Sequence, residues 1–456
     1  LYHYNILSEV LYIFFCEFQL FFTRFVFTNG AIYGILYFAD FFSAEYEKPG
    51  VHRMKKFFAA AAMTIAALFL FAGCSAQIVA SISSGWLTDP ATTYDPNFYE
   101  SLDYEVSFSN TESNSASRLT VEIDTENSSY NITTEAVGTM SFPTPDGSTQ
   151  TYTNVYHLRS EMILSATFTY TRSNGEKLVF SFGGTHDTDP DNEEFAADDP
   201  TTVVQEVWFT SSDSASTRAA EGEKARPAFS PVYSMLTNRS QAASTSVDDG
   251  NTAFVTMYEY TAEIIYDRTC ENATIRYTDA FADLTAEERV VSNYVTKQSC
   301  NFEDSRELSG LQSQYTCIDG AQLSFIGRGL DMSEDASHTL TVVSGIADNF
   351  PTAQHISCRE LVNSRMSFTI INADGTERVF DDEEVAIARM AFSLTGAGTN
   401  TGETTTVSYA QRASSGSNAN RCLPLRHEIP YGGSVGNFVY TLDTADYRTP
   451  DSSAQA

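Results

Sequence analysis

Thr252-Ala253-Phe254-Val255-Thr256-Met257-Tyr258-Glu259-Tyr260-Thr261-Ala262-Glu263-Ile264-Ile265-Tyr266-Asp267 is the stretch that decides the fold. Phe254, Tyr258, Tyr260, Ile264 and Tyr266 fall on one parity, with polar residues interleaved. Alternation of period two is the mark of a strand with one face buried. At about 3.3 Å per residue the run would reach roughly 50 Å, longer than ordinary strands, so it should bend or bulge across a curved sheet.

The same alternation recurs on both sides of it. Leu102, Tyr104, Val106 and Phe108 form one set and Leu119, Val121 and Ile123 another. Residues 162–171 and 177–182 flank Ser173-Asn174-Gly175, a turn whose Asn and Gly tolerate positive φ. Residues 203–209, 339–343, 366–371, 377–380, 405–410, 423–429 and 437–442 also read as strands. Two short helices are expected. Thr285-Ala286-Glu287-Glu288 fits a capping box, and Asp319 caps a turn through Gln322–Ile326 that Gly327 and Gly329 close. The fold class expected is all-β, mostly antiparallel, with large curved sheets arranged as a sandwich or half-barrel.

Composition suggests the boundaries. Residues 74–100 lack periodicity and carry Asp89-Pro90 and Asp95-Pro96, as a tether would. Residues 101–210 form a first β-domain or sheet, and 251–447 a second. The Ser-, Ala- and Thr-rich stretch 211–250 reads as a linker, with 231–236 packing down midway. A polar tail occupies 448–456.

The 456 residues carry 59 Asp and Glu against 27 Lys and Arg, a net charge of −32. Such a surface repels phosphate backbones, which disfavours nucleic acid as a partner. No lysine has a serine three residues before it, so the Ser-x-x-Lys pattern of penicillin-binding enzymes is absent. Cys270, Cys300, Cys317, Cys358 and Cys422 show no Cys-x-x-Cys spacing, which argues against zinc and leaves any disulfide pairing open.

Other chemistry-bearing patterns are thin. Gly432-Gly433-Ser434-Val435-Gly436 matches the serine-hydrolase elbow in letters only, because strands flank it and no histidine follows Ser434. His427 is in phase with Leu423, Leu425 and Ile429, as a core histidine satisfied by a neighbour would be. His157, Arg159 and Glu161 share the face of a strand opposite Tyr156, Leu158 and Met162, which reads as its solvated side. Asp187, Asp189 and Asp191 are spaced like the start of a calcium loop and suit weak divalent-cation binding. Pro190 intrudes and Asn192 stands where glycine is wanted, so an acidic surface loop is the plainer reading. Asp381-Asp382-Glu383-Glu384 reads as a turn or helix start. No cofactor is otherwise implied.

The address is more explicit. Met54-Lys55-Lys56 precedes an apolar run too short to span a membrane comfortably, which ends Leu70-Phe71-Ala72-Gly73-Cys74. These residues resemble the signal peptide and lipobox of bacterial lipoproteins, with Phe71 where the family prefers Leu. The resemblance covers residues 54–73 and implies export, a diacylglyceryl group on Cys74, and an extracytoplasmic protein anchored to membrane or cell surface. Residues 1–53, with sixteen Phe and Tyr, read as upstream sequence translated from too early a start.

No convergent catalytic set shows in the spacing, so a non-catalytic binding module is expected. Phe254, Tyr258, Tyr260 and Tyr266 are the candidate lining for an apolar ligand. A surface scaffold or adhesion module contacting protein or glycan is the alternative, and a hydrolase with an unidentified site comes third.

Overall fold

The computed structural model describes residues 82, 94–110, 119–171, 175–183, 193–197, 200–210, 226–246, 252–291, 295–346, 351–395, 404–411, 422–431 and 435–450. In chain order they form β1 (Tyr99–Asn110), β2 (Leu119–Ile123), β3 (Ser129–Pro143), β4 (Thr149–Leu164), β5 (Ala166–Thr171), β6 (Lys177–Phe182), β7 (Glu193–Ala197), β8 (Thr201–Thr210), β9 (Pro231–Ser246), β10 (Thr252–Tyr266) and β11 (Asn272–Asp279). Helix α1 (Ala286–Arg289), β12 (Val295–Lys297), β13 (Ser305–Ser309), β14 (Cys317–Asp319), a 3₁₀ turn (Gly320–Gln322) and α2 (Leu323–Gly327) follow. The chain ends in β15 (Ser337–Val343), β16 (Thr352–Ile371), β17 (Glu377–Thr395), β18 (Thr405–Ala410), β19 (Pro424–Tyr431) and β20 (Gly436–Asp446).

These strands make the all-β, largely antiparallel architecture that the alternation implies. One sixteen-stranded sheet runs β13-β11-β10-β9-β8-β4-β3-β1-β20-β19-β18-β17-β16-β15-β14, with β12 added beside β10. It curls at one end: β16 also pairs with β20 through residues 369–371 and 444–446, so β16 to β20 close on themselves. A four-stranded sheet, β2-β5-β6-β7, forms a second layer. Its Val121, Phe168, Tyr170, Leu178 and Phe180 share one apolar core with Leu102, Leu158, Val207, Met390, Leu425 and Leu442 of the large sheet. The two helices are short, as their signals imply. Thr285 caps α1 in a full capping box with Glu288, and Asp319 caps the 3₁₀ turn that leads into α2.

The structure departs from the sequence expectations at several places, each with a local cause. The stretch 211–250 is not a linker throughout. Residues 231–246 are β9, hydrogen-bonded to β8 on one side and β10 on the other. Its Ser- and Thr-rich composition hid it, since Ser240, Ser244 and Ser246 have strand partners that a short polar side chain does not advertise. Strands β1, β3, β4 and β8 of the first region therefore belong to the same sheet as the strands of the second, while β2, β5, β6 and β7 form the other, and the described residues lie in one compact unit. Nor is 94–100 a tether. The rings of Tyr94 and Phe98 lie 5.1 and 5.7 Å from that of Tyr156, and Glu100 lies in β1.

Asp381-Asp382-Glu383-Glu384 is neither turn nor helix start, but part of a strand. β16 and β17 are a hairpin of 20 and 19 residues, far longer than the segments around Asp374-Gly375 suggested. All four acids are exposed, and Arg365 and Asn363 on β16 donate to Asp382 and Glu384 at 2.7 and 2.6 Å. A bulge at Asp382, with φ of 52°, takes up the register shift between Met366 and Phe368.

Candidate functional site

The interior of the curl gathers polar and aromatic groups that no single strand pattern displays together. Register sets Met162 on β4 opposite Tyr130 on β3, Tyr130 opposite Tyr104 on β1, and His427 on β19 opposite Tyr440 on β20. Five strands thus deliver their inward side chains to one place. The ring centres of Tyr104 and Tyr130 are 5.3 Å apart, Tyr130 and Tyr440 4.9 Å, and the imidazole of His427 meets Tyr104 edge-on at 5.2 Å. Offset and edge contacts at such distances are the favoured ones for aromatic quadrupoles.

Two of the phenols are paired. Tyr104 Oη donates to the carbonyl of Pro424 at 2.9 Å, and Tyr440 Oη to Sδ of Met162 at 3.2 Å. His427 is different. It is 4% exposed, and its Nε2 has no hydrogen-bond partner among the described residues. Burial holds the imidazole at a pKa of about 4, so it is neutral at pH 7. The same desolvation pushes Tyr130 up to about 12. The site therefore holds uncharged aromatic groups and, among the described residues, one fully buried ring nitrogen without a partner.

Helix α2 closes this interior from one side. Phe325 and Ile326 are buried in the shared core, and Phe325 lies 5.3 Å from the ring of Phe209 on β8. Tyr409 on β18 donates to the Ser324 carbonyl at 2.7 Å. Only glycine fits at 327, because a Cβ there would collide with the Tyr409 hydroxyl. Immediately after the helix, Arg328 makes a bidentate ion pair with Glu100 on β1 at 2.5 and 3.0 Å. The two side chains are 0% and 1% exposed. Burial alone would weaken the arginine's hold on its proton, but the Glu100 carboxylate outweighs it and raises the pKa. Tyr104 lies within the field of both charges, so the helix anchor and the ring cluster are contiguous.

The residues picked out from the sequence are scattered. Tyr260 and Tyr266 are buried in a second apolar cluster. There Tyr260 packs edge-on to Phe302 at 5.0 Å, and Tyr266 donates to Asp319 at 2.7 Å. Tyr258 is half-buried, and the side chain of Phe254 is outside the described residues. None of the three described side chains belongs to the His427 group. Cys74, Asp187, Asp189 and Asp191 also lie outside the described residues, as do Gly432, Gly433 and Ser434. Among the described residues no three or more His, Cys, Asp or Glu side chains converge as metal ligands.

His157, Arg159 and Glu161 share the outer, partly exposed face of β4 opposite the buried Tyr156 and Leu158, where His157 stacks on Trp208 at 4.4 Å with Glu206 3.2 Å away. The phase that placed His427 inside was readable, but its last member was misleading, since Ile429 is 39% exposed. The expectation that a neighbour satisfies the imidazole fails at Nε2. Glu100, Tyr130, Arg328 and Tyr440 carried no local signal; Glu100 and Arg328 are 228 positions apart.

No family model matches this chain, and no curated protein matches it. Among solved structures, the chain is similar to a β-barrel-like protein of domain of unknown function DUF1849 from Brucella abortus. The identity is 9% and the TM-score 0.35, over 77% of this chain and 98% of that one.

Proposed function

We propose that this chain is a lipid-anchored, non-catalytic binding module of the bacterial envelope. On this reading it takes an apolar or amphipathic molecule between α2 and the inner face of the curl. One observation carries the reading: the unpartnered Nε2 of His427, buried among Tyr104, Tyr130 and Tyr440. An unmade hydrogen bond on a buried polar atom costs about 1–3 kcal/mol, which a bound molecule with one polar group would recover. Its apolar remainder would meet aromatic faces. Among the described residues, burial and not a neighbouring charge sets the state of this imidazole, which suits recognition better than proton transfer.

Native mass spectrometry of the purified chain tests this. A co-purified apolar adduct that is lost on denaturation, and lost again in His427→Phe, is the expected result. A clean apo mass, together with no uptake of fluorescent fatty acid, refutes the carrier and leaves the surface-adhesion alternative. The anchor is tested separately: Cys74→Ala should abolish incorporation of labelled fatty acid, and retained label would overturn it.

A further inference from the structure

Away from the curl, the hairpin between β10 and β11 meets the segment that leads into β14. Cys270 sits in the hairpin turn with φ of 58°, and Cys317 opens β14. Both are 0% exposed and belong to the same apolar cluster. Their side chains are hydrogen-bonded to each other as thiols, and Gln312 reaches both residues. The two segments are tied on either side of the pair, once through the backbone and once through side chains. The Leu311 amide donates to the Glu271 carbonyl at 3.0 Å, and Tyr266 Oη to Asp319 at 2.7 Å. Arg226 donates to the Asp267 and Arg268 carbonyls at 3.1 and 2.8 Å, which fixes the turn.

Two neighbouring thiols on segments tied together on either side need little movement to bond. We propose that Cys270 and Cys317 form a structural disulfide that locks the β10–β11 hairpin to β14. The oxidant is a disulfide of the surrounding compartment or a disulfide carrier. One thiolate of the pair attacks it, forming a mixed disulfide and releasing one thiol. The second thiolate then displaces the other thiol, so two cysteines and one disulfide give one protein disulfide and two free thiols.

Burial resists ionisation of both sulfurs and pushes Cys317 well up. Its own S–H and Arg226 favour the thiolate at Cys270, which marks Cys270 as the attacking group. Once folded, the pair is shielded from exchange. The bond therefore forms as the hairpin docks, and it persists.

The oxidising setting rests on the export reading above, so the test supplies its own oxidant. The full chain is unfolded in urea with reductant, then refolded in glutathione and glutathione disulfide, alkylated and digested. The expected product is one peptide pair joined through Cys270 and Cys317, lighter than the two reduced peptides by two hydrogens. Cys300, Cys358 and Cys422 should be alkylated. Cys317→Ala should abolish the linked pair; because that variant can misfold, the wild-type linkage map is the deciding result. Alkylation of both Cys270 and Cys317, or a link from either to another cysteine, overturns the proposal. A link formed in the tube but absent from cell-derived protein would instead overturn export, leaving the pairing intact.

Discussion

Replacing Arg328 with methionine should test how α2 is held. The substitution keeps an unbranched apolar stem over Phe325, whose ring centre is 5.8 Å from the guanidinium carbon, and removes the charge that faces Glu100. Glu100 is 1% exposed on its side chain, so a bare carboxylate there is far costlier than a neutral one. The variant therefore folds with Glu100 protonated. Holding neutral at pH 7 a group that ionises near 4.3 in the unfolded chain costs about 1.36 × 2.7, or roughly 3.7 kcal/mol.

The sign follows from linkage. In the variant the folded pKa lies above the unfolded one, so the deficit grows as pH rises above about 4.3 and shrinks as pH falls toward it. Urea unfolding followed by circular dichroism should give Arg328→Met a loss of about 4 kcal/mol at pH 7 and about 1 kcal/mol at pH 5. Glu100→Leu combined with Arg328→Met, which leaves no charge behind, should regain most of the loss. A deficit under 1 kcal/mol at pH 7, or one of equal size at both pH values, would refute the reasoning.

The same linkage applies with the opposite species at His427. Its pKa of about 4 in the fold lies below the 6.5 of a free imidazole, so the unfolded chain takes the proton first. Stability is then full above about pH 6.5 and falls by about 3 kcal/mol on the way to pH 4. The stability difference between wild type and His427→Phe should move by that amount across the interval, as measured by urea midpoints; a constant difference argues against a buried neutral imidazole. Gly327→Ala should cost about 1–3 kcal/mol through the clash with Tyr409. Tyr409→Phe in the same chain should recover part of this despite losing the bond to Ser324. Strict additivity in that double-mutant cycle would place the glycine's role elsewhere.

Residues 252–267 read as a strand because period two is a property of adjacent residues, and burial of one face enforces it locally. The capping signals at Thr285 and Asp319 were legible for the same reason: each bond they make spans two or three residues. β9 and the outer half of β16–β17 were not. Their stability comes from partners in neighbouring strands, so serine, threonine and even consecutive acids are admitted on faces that water covers.

The candidate site lies further still beyond local pattern. His427, Tyr104, Tyr130 and Tyr440 are set side by side by the pairing of β19, β20, β1 and β3, and β20 pairs with β1 across more than 300 positions. His427 could be placed indoors by its phase with Leu425, but whether Nε2 finds a partner depends on what the other four strands bring. Arg328 shows the limit most plainly. An arginine after a short helix is ordinarily a solvated charge, and only the closure of β1 over α2 supplies the Glu100 that lets it be buried. Chemistry in a curved antiparallel sheet is written in register, and register becomes legible only when distant strands are known to be neighbours.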